Sequence, residues 1–306
     1  MTVKTKAEMR PTRVRRSPGD RAFNIFAYSL VVFLTLIVLL PMMNIVAASL
    51  SGSDALLAGR VYFWPVDPTI NNYLAMLRYR SVWIGYRNTI FYTLLGTFIN
   101  VAMTMLCAYP LSQKNFSGRK FFSFLFFVPM IFSGGMIPNY LLIRDLHMLN
   151  TVWALVIPGA IGITNMIITR TFIQTTIPDS ISEAAMLDGC SPARYFFSFI
   201  LPLSTTIIAV ISMYYAVGHW NSYFSALLYI TKRDMYPLQL FLREILVANT
   251  MNESTGIDPE LLAAKQGMSD LLKYCLIVVA TVPILCVYPF IQKYFATGVM
   301  IGSIKG

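Results

Sequence analysis

The strongest constraint in this sequence is a set of apolar runs long enough to cross a lipid bilayer. A helical crossing takes about 20 predominantly apolar residues. Six stretches meet that length, at about 23–49, 88–112, 120–143, 151–173, 203–230 and 272–292. In hydrocarbon every backbone N–H and C=O must find its partner inside the protein, so runs of this length commit to helices. Only 12% of the residues are charged, about half of the roughly 25% found in soluble domains. The expected fold class is an all-α integral membrane protein with six transmembrane helices. Each run also carries internal Gly or Pro, including Pro41, Pro110, Pro129, Pro138, Pro158 and Pro283. Such breaks are tolerated where neighbouring helices or cavity water satisfy the freed backbone groups. Kinked helices suit a moving, water-lined pathway better than a rigid anchor.

The formal net charge is +10, and its distribution argues for a membrane surface rather than nucleic acid. Seven of the 24 Lys and Arg residues fall before the first apolar run: Lys4, Lys6, Arg10, Arg13, Arg15, Arg16 and Arg21. A basic leader favours cytoplasmic retention and anionic headgroups. No zinc, RNP or helix-turn-helix DNA-reading signature accompanies the charge. An even number of spans puts both termini on one side, and the basic leader makes that side the cytoplasm. The chain then divides into a basic leader (1–22), a six-span transmembrane body (23–292) and a cytoplasmic tail (293–306). Two longer loops, about 51–87 and 231–271, fall outside. "YFWPVDPTINNYLAML" (62–77) reads as an interfacial segment with a short helix. "NESTGIDPE" (252–260) reads either as a surface for an external partner or as an ordinary connection. Cys107, Cys190, Cys275 and Cys286 have no metal-ligand spacing, and neither His147 nor His219 lies near a Cys or acidic cluster; reduced thiols and no metal site are expected.

One stretch departs from the apolar pattern. "EAAMLDGCSPARYFFSFILP" (183–202) reads as a short polar helix, a glycine turn and a second helix. Pro178 with Asp179 or Ser180 starts the first helix, since Pro suits the first turn and Asp or Ser caps it. Ile181, Ala184 and Ala185 share one face, a small flat surface open to a partner's groove, with Glu183 and Asp188 supplying charge beside it. Gly189 ends the helix where a positive φ is needed. Ser191 and Pro192 restart it as N-cap and N1, and Pro202 marks entry into the fifth span. On these grounds the loop is either a docking element or a plain cytoplasmic connector.

The same residues carry a family resemblance. "EAAMLDG", followed by Leu201-Pro202, resembles the EAA motif of permease subunits in ATP-binding-cassette (ABC) importers. The family's aliphatic position before Leu-Pro is held here by Phe199. The segments 132–160, 215–230, 236–246 and 293–306 are similar to the polysaccharide and complex-oligosaccharide branch, near the maltose-type permeases. This resemblance spans about residues 20–306 and implies a type I importer permease fold in a bacterial plasma membrane. It implies a second homologous permease chain, two ABC ATPase subunits, an extracytoplasmic solute-binding protein and a saccharide substrate. It also implies that Glu183, Ala184, Ala185, Asp188 and Gly189 dock the ATPase.

Energy must come from elsewhere if that resemblance holds. No G-x-x-x-x-G-K-[ST] phosphate loop is present; "SGRKFF" (117–122) lacks both the spacing and the hydroxyl. No catalytic constellation stands out either, so ATP and Mg²⁺ are expected on partner ATPases, with no cofactor on this chain and no enzymatic activity of its own. Within the fifth run, Ser212, Tyr215, His219 and Ser222 recur on one helical face, with Trp220, Asn221 and Tyr223 close by. Such a face either lines a sugar path or bridges neighbouring helices. Asn139, Tyr140 and Asn165 are further path candidates. The alternative to an ABC permease is an ATP-independent secondary transporter or channel for a small polar solute. That class often places titratable groups at mid-membrane, where this chain has His219 and little else.

Overall fold

The computed structural model describes residues 17–251, 272–289 and 292, and among these every regular element is helical. Most of the basic leader, the polar segment 252–260 and the tail 293–306 lie outside the described residues.

Helix α1 (Pro18–Ser49) starts earlier than hydropathy alone suggests, because Ser17 and Asp20 form a capping box with Pro18 in the first turn. Two short helices follow, α2 (Ser53–Leu57) and α3 (Asn71–Leu77). The second is the helix expected within 62–77. This loop is tied to the end of α1 by side-chain amides: Asn44 Nδ2 donates to Tyr62 O (2.8 Å) and Asn72 Nδ2 to Ser51 O (2.8 Å).

Helix α4 (Arg80–Ser112) is the axis of the molecule. It begins well before residue 88, since its opening turns carry Arg80 and Arg87 and are not apolar enough to register as membrane sequence.

The internal Gly and Pro predict kinks, and in the structure the third, fourth and fifth runs are each broken into separate helices. In the third, α5 (Arg119–Ile131) and α6 (Met136–Asp145) meet at 118°. Gly135 makes that corner at φ +86°, which a residue with a side chain rarely adopts. The fourth divides into α7 (Trp153–Val156) and α8 (Ile163–Thr176) around the irregular segment 157–162.

Helix α9 (Asp179–Leu187) and α10 (Pro192–Tyr195) then lead through a π-helical turn, Phe196–Ile200, into α11 (Leu201–Leu203). After a 79° bend at Ser204 come α12 (Thr205–Trp220) and α13 (Phe224–Tyr229). A 3-10 turn (Arg233–Met235), α14 (Leu238–Met251) and α15 (Leu272–Pro289) complete the described chain. By length and composition α1, α4 and α15 can each cross a membrane alone, and the two bent pairs bring that to as many as five.

Packing follows a ridge on α4. Asn88, Tyr92, Gly96, Asn100, Thr104 and Ala108 recur at every fourth position, and all are buried. The opposing ridge of α12 has the same period, with Ile207, Ile211 and Tyr215 buried and His219 half-buried. Rows at this spacing interdigitate readily between helices. The largest buried cluster lies at the end of the bundle nearest α9. It joins Met105 and Leu111 of α4, Ile173 of α8 and Ile211 of α12 to Ala185, Tyr195 and Ile200.

Candidate functional site

Helix α9 is built to stand at the end of the bundle. Pro178 occupies its N-cap position with no side-chain cap, so capping by Asp179 or Ser180, expected from sequence, does not occur. Asp179 lies in the first turn instead and reaches across to Lys114, between α4 and α5 (Nζ to Oδ2, 2.5 Å). The hydrogen bond to Asp179 raises the Lys114 ammonium above its ordinary range, with Glu183 adding to the effect. On the alkaline side the contact therefore outlasts the lysine's ordinary titration and is lost as pH rises through the raised value. Both side chains are exposed, so the pair orients the loop more than it stabilises it.

The other end of α9 is closed by a Schellman motif. Gly189, at φ +71°, donates its N–H to Met186 O (3.0 Å), and Cys190 donates to Ala185 O (2.9 Å). The restart also matches its sequence signature: Ser191 Oγ accepts from Arg194 N (3.3 Å), and Pro192 is the first helical residue.

The face of α9 differs from the sequence expectation. Ile181, Ala184 and Ala185 do not form one presented surface. Ala185 is buried in the large cluster and Ile181 packs against it, while Ala184 is exposed. Glu183, Met186, Leu187 and Asp188 are exposed as well, with Leu187 at 89% and Met186 at 58%. The missed residues are Met186 and Leu187. Their signal was present, since positions three and four after Glu183 share its face, but two apolar residues in a membrane chain drew no attention. Beneath α9 lies a cleft of about 240 Å³, lined in part by Gln113, Lys114, Gln174 and Tyr195.

The polar face of α12 is largely engaged within the chain. Tyr215 is buried; its hydroxyl pairs with Thr104 Oγ1 (2.7 Å) and accepts from Gly162 N (2.9 Å). His219 Nε2 stands 3.1 Å from Asn100 Oδ1, and Asn100 Nδ2 donates to Gly159 O (2.6 Å). Trp220 is buried and donates Nε1–H to Ala280 O (2.9 Å). Asn221 Nδ2 donates to Val217 O within its own helix (3.0 Å). Ser212 is partly buried, and Tyr223 is exposed against Phe224. The structure thus separates the set: Tyr215, His219 and Trp220 bridge elements, whereas Asn221 and Tyr223 present polar groups at the helix end. Their partners on α4, Gly96, Asn100 and Thr104, were not singled out from sequence, although every fourth residue of that helix is small or polar in this region. Of the further candidates, Tyr140 stacks on Tyr229 (6.2 Å between centroids), Asn139 is exposed and Asn165 is partly buried.

No protein-family model matches the chain. Whole-chain relatives are nonetheless clear. The polygalacturonan/rhamnogalacturonan transport system permease protein YtcP of Bacillus subtilis (strain 168) is 36% identical over 94% of this chain and 99% of its own length. Protein LplC of the same organism is 39% identical over 88% of this chain and 90% of its own length. Among solved structures, a chain from a bacterial ABC transporter involved in the import of the acidic polysaccharide alginate superposes with a TM-score of 0.82. It is 31% identical and covers 92% of this chain and 99% of its own. A helical fold shared over nearly the whole length, with identity at this level, identifies the chain as a member of the ABC sugar-importer permease family.

Proposed function

We propose that α9 is the element through which ATP-driven motion reaches this permease, with Glu183, Ala184, Ala185, Asp188 and Gly189 joined by Met186 and Leu187. One observation carries the reading: the outward face of α9 exposes Leu187 almost completely, on a helix whose inward face is anchored in the largest buried cluster. An apolar side chain at that exposure, flanked by Glu183 and Asp188, fits a partner's groove. In this reading the chain pairs with a second homologous permease, two cytoplasmic ATPases bind ATP and Mg²⁺ and perform the hydrolysis, and an external binding protein delivers the cargo. The permease crosses a bacterial plasma membrane six times, three of the crossings being broken helices, with both termini cytoplasmic.

The cargo we propose is a complex, acidic saccharide. This is supported by the relative named for polygalacturonan and rhamnogalacturonan and by the neighbour from an alginate importer. Of the path candidates, Asn221 and Tyr223 are the ones we assign to saccharide contact; Ser212, Tyr215, His219 and Trp220 hold the wall behind them.

The test is made on the assembled complex in membranes, measuring co-purified ATPase, ATP turnover and sugar uptake. Nothing stands within 4 Å of a Cβ added at Gly189, so Gly189→Val acts through the backbone alone, by about 1–3 kcal/mol of strain. That variant, Glu183→Lys and Leu187→Asp should each weaken docking or uncouple hydrolysis from uptake. Normal values for all three would leave α9 a mere connector. Tags at residues 1 and 306 should report cytoplasmic and one at Asn252 external; a cytoplasmic Asn252 overturns the six-crossing arrangement.

A further inference from the structure

Between α5 and α8 lies a groove with one cationic end and an apolar length. Its cavity is about 330 Å³ and is lined by Phe124, Phe126, Phe127, Ile163, Met166 and Ile167, with Ser123 and Arg170 at one end. On α5, Ser123 and Phe127 are four residues apart; on α8, so are Ile163 and Ile167, with Arg170 one turn further. Each helix therefore offers a polar position followed along the groove by apolar ones.

Arg170 is the unusual member. It is partly buried in membrane sequence, its Nε is buried without a hydrogen-bond partner, and among the described residues its side-chain hydrogen bond is a long one to Ser123 Oγ (3.4 Å). Among the described residues no carboxylate pairs with it, and Arg119, at the start of α5, is close enough to act on it electrostatically. Lys120 is exposed beside Arg119. A guanidinium held this way carries an unmet demand for an anionic oxygen.

We propose that this groove is a binding site for an anionic phospholipid, whose phosphate meets Arg170 and Arg119 and whose acyl chain lies along Phe124, Phe127 and Ile163. The choice of occupant follows from the lining. A saccharide needs many hydrogen-bonding groups, and this groove offers two side chains that can provide them. A neighbouring apolar helix would fill the length but leave Arg170 unanswered. Basic pockets between membrane helices on the cytoplasmic side suit phosphate headgroups, and α8 runs from Arg170 directly toward α9. The site rests on the cytoplasmic placement of α9 proposed above, but not on what the importer carries.

The experiment uses the full complex in nanodiscs of phosphatidylcholine, with or without phosphatidylglycerol, and native mass spectrometry after extensive exchange. The wild type should retain phosphatidylglycerol. Arg170→Gln should retain about tenfold less, the effect of one charge-assisted contact, and Arg170→Lys should recover part of it. Equal retention by Arg170→Gln and the wild type overturns the proposal. A second measurement needs no variant: phosphatidylglycerol with a photoreactive acyl chain should label 124–127 and 163–167 in the wild-type complex. Labelling confined to other helices, or protection of this groove by saccharide or by the second permease instead of lipid, also overturns it. Sugar uptake in phosphatidylcholine alone reports on the transport reading separately, so failure of one is distinguishable from failure of the other.

Discussion

Helices α1 and α4 are nearly equal in length, 32 and 33 residues, and either can span a membrane. The fold uses them in opposite ways. In the most apolar window of α1 6% of the residues are buried, against 28% in α4, although α1 is the more apolar of the two. In water this would be backwards. In lipid it follows from the medium, because hydrocarbon gives an apolar side chain no reason to leave it, and helices associate instead through small residues and hydrogen bonds. The buried ridge of α4 is Asn, Tyr, Gly, Asn, Thr, Ala, whereas the middle of α1, residues 30–40, is Leu, Val, Ile and Phe on every side but for Thr35. Only Ala47, Ala48 and Ser49 of α1 are buried, where it meets the first loop and Tyr274.

The sharpest way to break this contrast is at the glycines of α4. A Cβ at Gly85 would lie 2.9 Å from the Phe241 ring and 3.0 Å from the Leu238 Cα, and backbone cannot swing aside. Gly85→Val should therefore lower the stability of the purified complex by at least about 1–3 kcal/mol, read as a clear fall in its melting temperature. At Gly96 a Cβ would come within 2.4 Å of His219 Nε2. The His219 ring has to turn, so Gly96→Ala should destabilise less than Gly85→Val, by an amount set mainly by the lost contact to Asn100. Melts unchanged by both substitutions would mean that α4 is not the axis.

Smaller effects sharpen the comparison. His219→Ala and Asn100→Ala should each cost about 0.6–1.7 kcal/mol, the range for hydrogen bonds between membrane helices. Together they should cost less than their sum, since they share one contact. Tyr215→Phe should fall in the same range by leaving Thr104 and the Gly162 N–H without their partner. The smallest effect belongs to α1: Leu36→Ala and Ile37→Val should change the melt by no more than about 0.5 kcal/mol. Values for α1 equal to those for α4 would show that α1 is held as firmly as the axis.

Much of this arrangement was legible before any coordinates. The apolar runs located the long helices, and the Gly189 stop and the Ser191-Pro192 restart were readable because their chemistry is local. The breaks were legible as internal Gly and Pro, but the size and exact place of the corners were not. Hydropathy sums over a window and is blind to the 118° corner at Gly135 or the bend at Ser204. The α4 ridge was missed for a different reason: a reading that looks for apolar faces passes over a helix whose contacts are made by Asn100, Thr104 and Gly96. Burial of the α9 face was half legible. The spacing grouped Ile181 with Ala185, but only the packing shows that Ala185 joins the buried cluster while Ala184 stays exposed.

The π-helical turn between α10 and α11 sets a phase. Phe196–Ile200 is wound more loosely than the α-helix on either side, so it accommodates extra chain in the same turn. Wound as an ordinary α-helix, the same five residues would turn roughly 100° further and rotate everything beyond them. Tyr215 and His219 would then point away from Thr104 and Asn100 while α9 kept its seat. Ordinary winding seats α9 or the α12 ridge, and the loose turn lets one chain seat both.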